Sequence, residues 1–205
     1  NHDRSANRRL KIGYVSSDFR RHSVAYFLQS ILEHHDKAAF EIFAYANMLG
    51  GDEVTAQLRG HVDQWRDIVG LDDQQLAAQV RADNIDILVD LAGHTRGNRL
   101  SAFALKPAPL QITYLGYPAT TGLTAINARL TDAWADPPGM TEAFHSEQLI
   151  RLEHGFLCYR PPDDAPPVAP PGVAPLPVDD AGHITFGSFN NLAKVTPTTI
   201  TLWAD

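Results

Sequence analysis

The sequence predicts an α/β fold with a Rossmann-like, doubly wound parallel sheet. Short apolar runs that are typical of buried strands alternate with segments in which apolar residues recur at helical spacing. Three of the apolar runs are followed directly by polar or glycine-rich turns. Strands that alternate with helices favour crossover connections, which produce a parallel sheet with helices on both faces.

The first part of this pattern starts at Leu10–Ser16, an apolar run that predicts a buried strand. The next predicted elements are a helix over 24–34, a strand over 40–45, a helix over 54–62 and a short strand over 65–69. The helix over 24–34 is predicted because five apolar residues share one face: Val24, Phe27, Leu28, Ile31 and Leu32.

The second part begins at Asp72, which is spaced for a capping box with Gln75 and so starts a helix that runs to about Ala82. It continues with a strand over 85–91, one or two helical turns over 99–105 and a strand over 110–115. Eight prolines between 161 and 177 predict an extended linker or a surface loop. Beyond them we expect a strand over 184–189 and a helix that starts at Thr196 and Pro197.

The composition is that of an ordinary soluble globular protein, with 44% hydrophobic and 20% charged residues. The net charge of -7 argues against a broad surface for nucleic acid or anionic membrane, so neither is expected as a partner. Cys158 is the only cysteine, which fits a reducing compartment. The sequence shows neither a secretory signal nor an apolar run near the roughly 20 residues of a spanning helix. We therefore expect a cytoplasmic protein.

Three short segments are candidates for a ligand site: 18–23, 93–99 and 116–122. Each directly follows a predicted strand, and doubly wound sheets bind ligands at the carboxyl ends of their strands. His22 stands just before a helix, whose amino terminus favours a neutral imidazole that can accept a proton or a hydrogen bond. His94 lies in a glycine-flanked turn, where backbone can approach a ligand closely. Without further information, the simpler interpretation of both His22 and His94 is an exposed loop histidine with no role in a site.

Asp83 lies at the end of a predicted helix just before a strand, which places it at the opposite edge of the sheet. By itself it is most simply a helix-terminal aspartate. Asp86 and Asp90 interrupt an apolar strand and point either to solvent or into a cleft. The phosphate-binding patterns GxxxxGK[ST] and GxGxxG, a zinc cluster and a GxSxG serine elbow are all absent from the sequence.

Several segments taken together resemble the catalytic region of the O-linked N-acetylglucosamine (O-GlcNAc) transferases, glycosyltransferase family 41. They occur in order along the chain: IGYVSSDF at 12–19, FEIF at 40–43, ILVDLAGHTRG at 87–97, FALKPAP at 103–109, QITYLGYPATTG at 111–122 and FNNLAK at 189–194. The combination is specific to the family, whereas a single piece such as GYP would mean nothing.

The resemblance implies the amino-terminal half of a GT-B glycosyltransferase, in which two Rossmann-like halves enclose the active site. Such enzymes transfer N-acetylglucosamine from UDP-GlcNAc to serine or threonine hydroxyls of proteins, inverting the anomeric centre without a metal or other cofactor. We therefore expect a linker over 1–8 that follows TPR repeats, a domain over 9–160, a proline-rich linker over 161–180 and the start of the nucleotide-sugar domain over 181–205. The chain alone should be inactive.

The resemblance also assigns residues. His22 matches a histidine at the sugar and acceptor site that has been proposed as the base, and Asp83 matches an aspartate proposed to relay the acceptor proton through water. Lys194 matches the lysine at the donor pyrophosphate. The substrate-binding set comprises Leu115, Gly116 and Pro118, which shape the sugar pocket, together with His94 and Asn191.

The chain departs from the animal enzymes at several of these places. Asn191 replaces a glutamine, His94 a tyrosine, Asp86 a histidine and Ala193 a tyrosine, which suggests a bacterial relative. Two alternatives stay open. One is a protein O-fucosyltransferase of the plant type that uses a GDP sugar, and the other is a catalytically silent homologue that binds proteins.

Overall fold

The computed structural model describes residues 5, 7–161, 165–167, 176–189 and 191–204. Residues 1–161 form one compact unit and residues 162–205 a second. The first unit contains seven parallel strands in the order β3-β2-β1-β4-β5-β6-β7. Their bounds are β1 Leu10–Ser16, β2 Phe40–Ala46, β3 Gln64–Asp67, β4 Ile87–Asp90, β5 Leu110–Thr113, β6 Ala128–Asp132 and β7 Gln148–Leu152.

Four helices connect the first five strands and cover both faces of the sheet. They are α1 Ser23–Glu33, α2 Glu53–His61, α3 Asp73–Ala82 and α4 Leu100–Ala104. One apolar core joins the sheet to α1 and α2, through residues such as Leu28 and Leu58. A separate core joins the opposite face to α3 and α4, through Val80 and Phe103. The structure thus confirms the predicted doubly wound α/β sheet.

The predicted helix starts are formed by the expected side chains. Asp72 accepts a hydrogen bond from the Gln75 N–H at 2.8 Å, and the Gln75 side chain accepts one from the Asp72 N–H at 2.9 Å. This is the capping box that the sequence predicted, and it satisfies two backbone donors that a helix end leaves free. Asp52 and Thr55 form a second capping box at α2, which the sequence analysis did not identify.

Strands β6 and β7 were not predicted. Buried polar side chains interrupt the apolar pattern of β6, where Arg129, Thr131 and Asp132 are all largely shielded from solvent. Arg129 donates to the distant Tyr117 carbonyl, whereas Thr131 and Asp132 bond mainly to the turn that follows the strand. No local apolar run therefore marks the strand. In the edge strand β7, exposed and half-buried positions alternate, but apolar residues also occupy exposed positions, such as Ile150 and Leu152. The sequence therefore shows no alternation of apolar and polar residues there.

The second unit is less regular than the sequence predicted. It contains α5 Pro177–Ala181, a short 3-10 helix Leu192–Lys194 and α6 Pro197–Ala204. The Thr196 hydroxyl accepts from the Thr199 N–H at 3.2 Å, which confirms the expected start of α6. The strand predicted over 184–189 is wrong: these residues are exposed and no described strand pairs with them. Without a neighbouring strand, an extended segment gains no ladder hydrogen bonds.

Parts of the expected linkers lie outside the described residues. These are residues 1–4 and 6 of the amino-terminal linker, and 162–164 and 168–175 of the proline-rich one. Within the described part of the chain, no helix is long and apolar enough to cross a membrane.

Candidate functional site

The turns that follow β1, β4 and β5 lie at one edge of the sheet, because these three strands are parallel neighbours. From β1 the chain winds outward to β2 and β3, and then returns to place β4 on the other side of β1. Ligands of doubly wound sheets bind at the carboxyl edge beside such a reversal. The candidate site is therefore this edge, with His22, His94 and the segment 115–122 around it.

Direct contacts tie the turn after β1 to the turn after β4. The Ser17 hydroxyl donates to the Arg96 carbonyl at 3.0 Å, and the Asn47 side chain, just after β2, donates to the Gly97 carbonyl at 2.9 Å. Gly97 has a φ of +80°, and a Cβ there would come within 2.7 Å of the Ser17 Cβ. A glycine is required for this approach on both counts.

The turn after β4 is organised by the buried carboxylate of Asp90. It accepts from the backbone N–H groups of Ala92 at 3.1 Å and Gly93 at 2.9 Å, and from the Thr113 hydroxyl at 2.8 Å. Burial raises the pKa of the Asp90 carboxyl, and these three hydrogen bonds oppose that rise. Asp90 thus points inward and shapes the turn that carries His94.

The turns after β4 and β5 interlock through two glycines. A Cβ on Gly116 would overlap the carbonyl oxygen of Leu91 and lie 2.8 Å from its carbonyl carbon. A Cβ on Gly93, whose φ is +54°, would overlap the Cβ of Tyr117 and lie 2.9 Å from its Cγ. The absence of a side chain lets Gly116 approach the backbone of Leu91, and it lets the Tyr117 side chain pack on Gly93.

Leu115 stands in an uncommon backbone conformation at this contact. Its φ is +73°, and the Gly116 N–H donates to the Tyr114 carbonyl at 2.9 Å, closing a three-residue turn around it. A positive φ is uncommon for a non-glycine residue, and a three-residue turn closed around such a residue is rare and strained. Such strain persists only where the surroundings enforce it, and it is concentrated at functional sites.

His94 is fixed by the segment that follows β5. Its Nε2 lies 3.0 Å from the Thr121 carbonyl oxygen, and its ring meets the Tyr117 ring edge-on with centroids 5.3 Å apart. Because a carbonyl can only accept, Nε2 carries the proton and donates. In the neutral ring, Nδ1 is then left as an acceptor.

His22 caps helix α1. Its Nδ1 accepts from the Val24 N–H at 3.2 Å, so in this arrangement the neutral ring carries its proton on Nε2. The side chain keeps 42% of its surface exposed. With Nδ1 engaged in the cap, the Nε2–H of His22 is left as a hydrogen-bond donor for a ligand. Nδ1 also lies 3.9 Å from the Asp18 carboxylate.

Asp18 was not singled out by the sequence analysis. Its side chain is only 11% exposed, and its charged neighbours are the guanidinium of Arg20 at 3.6 Å and the His22 ring. A shielded carboxylate therefore stands beside the His22 ring at the carboxyl edge of β1. Its place directly after the first strand was the one sequence signal that pointed to it.

Asp83 lies at the other edge of the sheet, before β4. Its carboxylate accepts from Arg66 at 3.0 and 3.3 Å, from the Tyr45 hydroxyl at 2.8 Å and from the Gln79 amide at 3.0 Å. Burial opposes ionisation, but the hydrogen bonds from Arg66, Gln79 and Tyr45 prevail and lower the pKa of Asp83. The structure therefore does not bring Asp83 together with His22.

Lys194 and Asn191 belong to the second unit. The Asn191 side chain accepts from the Ala193 N–H at 3.0 Å and so caps the 3-10 helix that ends at Lys194. Lys194 is exposed. Leu115 and Gly116 are partly buried in the first unit, and Pro118 is exposed. Among the residues that the structure describes, no three His, Cys, Asp or Glu side chains are grouped to hold a metal ion.

Comparison with known proteins gives a consistent result. A family model described as glycosyl transferase family 41 matches residues 1–159. A probable UDP-N-acetylglucosamine–peptide N-acetylglucosaminyltransferase SPINDLY from Oryza sativa is 47% identical over 203 residues, which is 97% of this chain and 21% of the relative. The UDP-N-acetylglucosamine–peptide N-acetylglucosaminyltransferase of Caenorhabditis elegans is 38% identical over 151 residues, 73% of this chain and 13% of that protein.

A solved structure, a point mutant of the O-GlcNAc transferase from Thermobaculum terrenum, superimposes with a TM-score of 0.77. It is 44% identical and covers 80% of this chain and 31% of its own. The chain spans about a fifth of the length of the rice relative. Because the family model covers well over half of the sequence, and the relatives are similar along most of it, the chain belongs to glycosyl transferase family 41.

Proposed function

We propose that this chain is part of an inverting glycosyltransferase that moves N-acetylglucosamine from UDP-GlcNAc to serine or threonine hydroxyls of proteins. The observation that carries the proposal is the carboxyl edge of β1, β4 and β5. There, the family segments around His22, His94 and Gly116 converge on one rim although they are far apart in sequence. The donors named for the rice and nematode relatives support UDP-GlcNAc as the substrate.

The pocket for the sugar is proposed at the interlocked turns after β4 and β5. Leu115, Gly116 and Pro118 would form its wall, and the strained turn at Leu115 would hold that wall in one shape. A fixed wall is useful because a pocket already held in its bound shape loses less conformational freedom when the sugar binds, which strengthens binding. The Nδ1 acceptor of His94 is proposed to bind a hydroxyl or amide N–H of the sugar.

His22 is proposed to act at the same edge as a hydrogen-bond donor through Nε2. For His22 to serve as the base, Nε2 would have to lose its proton and Nδ1 would have to leave the cap of α1 for a proton of its own. Asp18, 3.9 Å from Nδ1, would stabilise that second form. Asp83 is less suited to receive the acceptor proton, because Arg66, Tyr45 and Gln79 already occupy its carboxylate.

Lys194 is proposed to neutralise the leaving diphosphate. Negative charge grows on that group as the glycosidic bond breaks, so a fixed cation contributes most in the transition state. Asn191 shapes the backbone next to Lys194 and is proposed to contact the nucleotide through its remaining amide donor. A lysine in this role makes a metal ion unnecessary.

Other features of the whole protein follow from the same proposal. It would contain TPR repeats that bind acceptor proteins and a complete second Rossmann-like half, and it would act in the cytoplasm of a bacterium. The chain alone would not catalyse transfer, because most nucleotide contacts would come from that second half.

A transfer assay on a longer protein that contains this chain and the second half tests the proposal. An acceptor protein is incubated with UDP-GlcNAc or with GDP-fucose, in the presence of EDTA, and modified residues are located by mass spectrometry. N-acetylhexosamine on serine or threonine would support the proposal. Fucose transfer alone would assign the GDP-sugar alternative, and no transfer from either donor would favour the silent homologue.

A further inference from the structure

A buried carboxylate holds the rim segment that follows β5. Glu147 stands just before β7 and is 5% exposed. One of its oxygens accepts from the backbone N–H of Thr121 at 2.7 Å and also from the Thr121 hydroxyl, and the other accepts from the Thr120 hydroxyl at 2.7 Å. Burial alone would raise the pKa of Glu147, but the hydrogen bonds from Thr121 and Thr120 outweigh it and lower the pKa.

A buried cation holds an earlier part of the same segment. Arg129, in β6, is 2% exposed and donates through one terminal nitrogen to the Tyr117 carbonyl at 2.7 Å and the Ala119 carbonyl at 3.3 Å. Hydrogen bonds to charged groups stabilise by about 1.5–3 kcal/mol, roughly twice the value for neutral pairs. Two charged side chains from outside the segment therefore fix five polar groups on four residues: the carbonyls of Tyr117 and Ala119, the hydroxyls of Thr120 and Thr121, and the Thr121 N–H.

The contact reaches His94 through one residue. Thr121 gives its N–H and hydroxyl to Glu147, and its carbonyl oxygen accepts from Nε2 of His94 at 3.0 Å. Glu147 therefore fixes the orientation of the Thr121 backbone through the N–H of that residue. This orientation in turn determines where the Thr121 carbonyl oxygen, the acceptor for the His94 ring, lies.

We propose that Glu147 is a positioning residue, with Arg129 as its counterpart. Together they hold the segment 117–121, and through Thr121 Glu147 orients the His94 imidazole at the sugar pocket. The assignment of a pocket rests on the proposed function, whereas the orientation of His94 does not. Neither Glu147 nor Arg129 is among the residues proposed to contact the sugar. Glu147 acts through the Thr121 N–H and the hydroxyls of Thr120 and Thr121, and Arg129 acts through the carbonyls of Tyr117 and Ala119.

The simpler alternative is that Glu147 only stabilises the fold. Both roles predict some loss of stability on substitution, but only the positioning role predicts a change at His94. The Nε2 proton of a hydrogen-bonded histidine exchanges slowly with water and can be followed by 15N-resolved NMR of this 205-residue chain. Loss of one hydrogen bond corresponds to roughly a threefold to tenfold faster exchange.

The decisive variants are Thr121→Val and Glu147→Gln. Thr121→Val removes the hydroxyl at nearly constant volume, and Thr121→Ser restores it. Thr124→Val makes the same chemical change at an exposed residue of the same connection and serves as the control. Glu142→Gln is the matched control for Glu147, because Glu142 is an exposed carboxylate that pairs with Arg151.

We expect exchange of the His94 Nε2 proton to accelerate threefold to tenfold in Thr121→Val and Glu147→Gln, and to stay at the wild-type rate in Thr121→Ser and both controls. Unchanged exchange in the two decisive variants would overturn the proposal. If Glu147→Gln does not fold, Thr121→Val against Thr121→Ser decides the question alone.

The longer protein provides a second readout. There, Glu147→Gln should raise the KM for the donor sugar by a larger factor than it lowers kcat, since a displaced pocket wall weakens binding before chemistry. A fall in kcat alone, with KM unchanged, would contradict a positioning role. If the wild-type longer protein transfers no sugar, the proposed function fails, while the exchange measurement on His94 keeps its meaning.

Discussion

Replacing Gly116 with alanine tests how closely the turns after β4 and β5 pack together. The new Cβ would overlap the Leu91 carbonyl oxygen and lie 2.8 Å from its carbon and 3.2 Å from the Cα of Ala92, where ordinary contacts are 3.4–4 Å. These are backbone atoms that cannot rotate away. Leu91 is itself held by its N–H, which donates to the Val15 carbonyl at 3.1 Å. Relief of the overlap therefore requires moving a strand end.

Overpacking of a tight site typically costs about 1–3 kcal/mol, and a backbone clash belongs at the upper end of that range. For a chain of this size, about 3 kcal/mol lowers the Tm by roughly 6–12 °C. Thermal unfolding followed by circular dichroism measures it. Gly60→Ala is the matched control, because Gly60 lies in α2 with open space around it, and alanine there should stabilise by about 0.8 kcal/mol. A Gly116→Ala protein that melts within about 2 °C of wild type would refute the interlock.

Three further predictions concern the other site residues. His22→Ala should lower the unfolding free energy by about 1 kcal/mol, whereas His22→Asn should keep the cap of α1 and leave the Tm unchanged. Equal Tm values for the two variants would show that the Nδ1 cap is not formed. In the longer protein, Lys194→Ala should lower turnover about 10²- to 10³-fold, whereas His22→Asn should leave the affinity for the donor nearly unchanged. If Lys194→Ala loses less than twofold in steady-state assays, Lys194 is only a surface lysine. The pKa of Asp83 is lowered in the folded protein, so its carboxylate contributes stability that is present above its unfolded pKa of about 4 and is lost as the pH falls through its folded pKa. Asp83→Asn should therefore flatten the acid side of the curve of unfolding free energy against pH. An unchanged curve would contradict the Arg66 network.

The sequence predicted those parts of the fold whose signals are local. β1 is a mostly apolar run, and the capping box at Asp72 needs only residues three apart, so both were predictable. β6 was not, because Arg129 and Asp132 look like surface residues until their distant partners are known. The same limit applies to the extended residues 184–189, since the apolar pattern of a strand does not reveal whether a partner strand exists.

The candidate site divides in the same way. That His22, His94 and Gly116 follow strands could be seen in the sequence, and the strand order then places them on one edge. Asp90 and Glu147 could not be assigned, because key hydrogen-bond partners of each are distant in the sequence: Thr113 is 23 positions from Asp90, and Thr121 and Thr120 are 26 and 27 positions from Glu147. Similarity to a known family assigned Asp83 to the chemistry, whereas its contacts place it in a buried ion-pair network at the opposite edge.

A crystal structure of the longer protein with UDP-GlcNAc or an unreactive analogue and an acceptor peptide would test the proposed site directly. We expect the sugar ring against Leu115 to Pro118, with His94 and the Nε2 of His22 within hydrogen-bond reach of the sugar or the acceptor hydroxyl. A sugar bound at the amino edge of the sheet beside Asp83, with the edge around His22 empty, would contradict it.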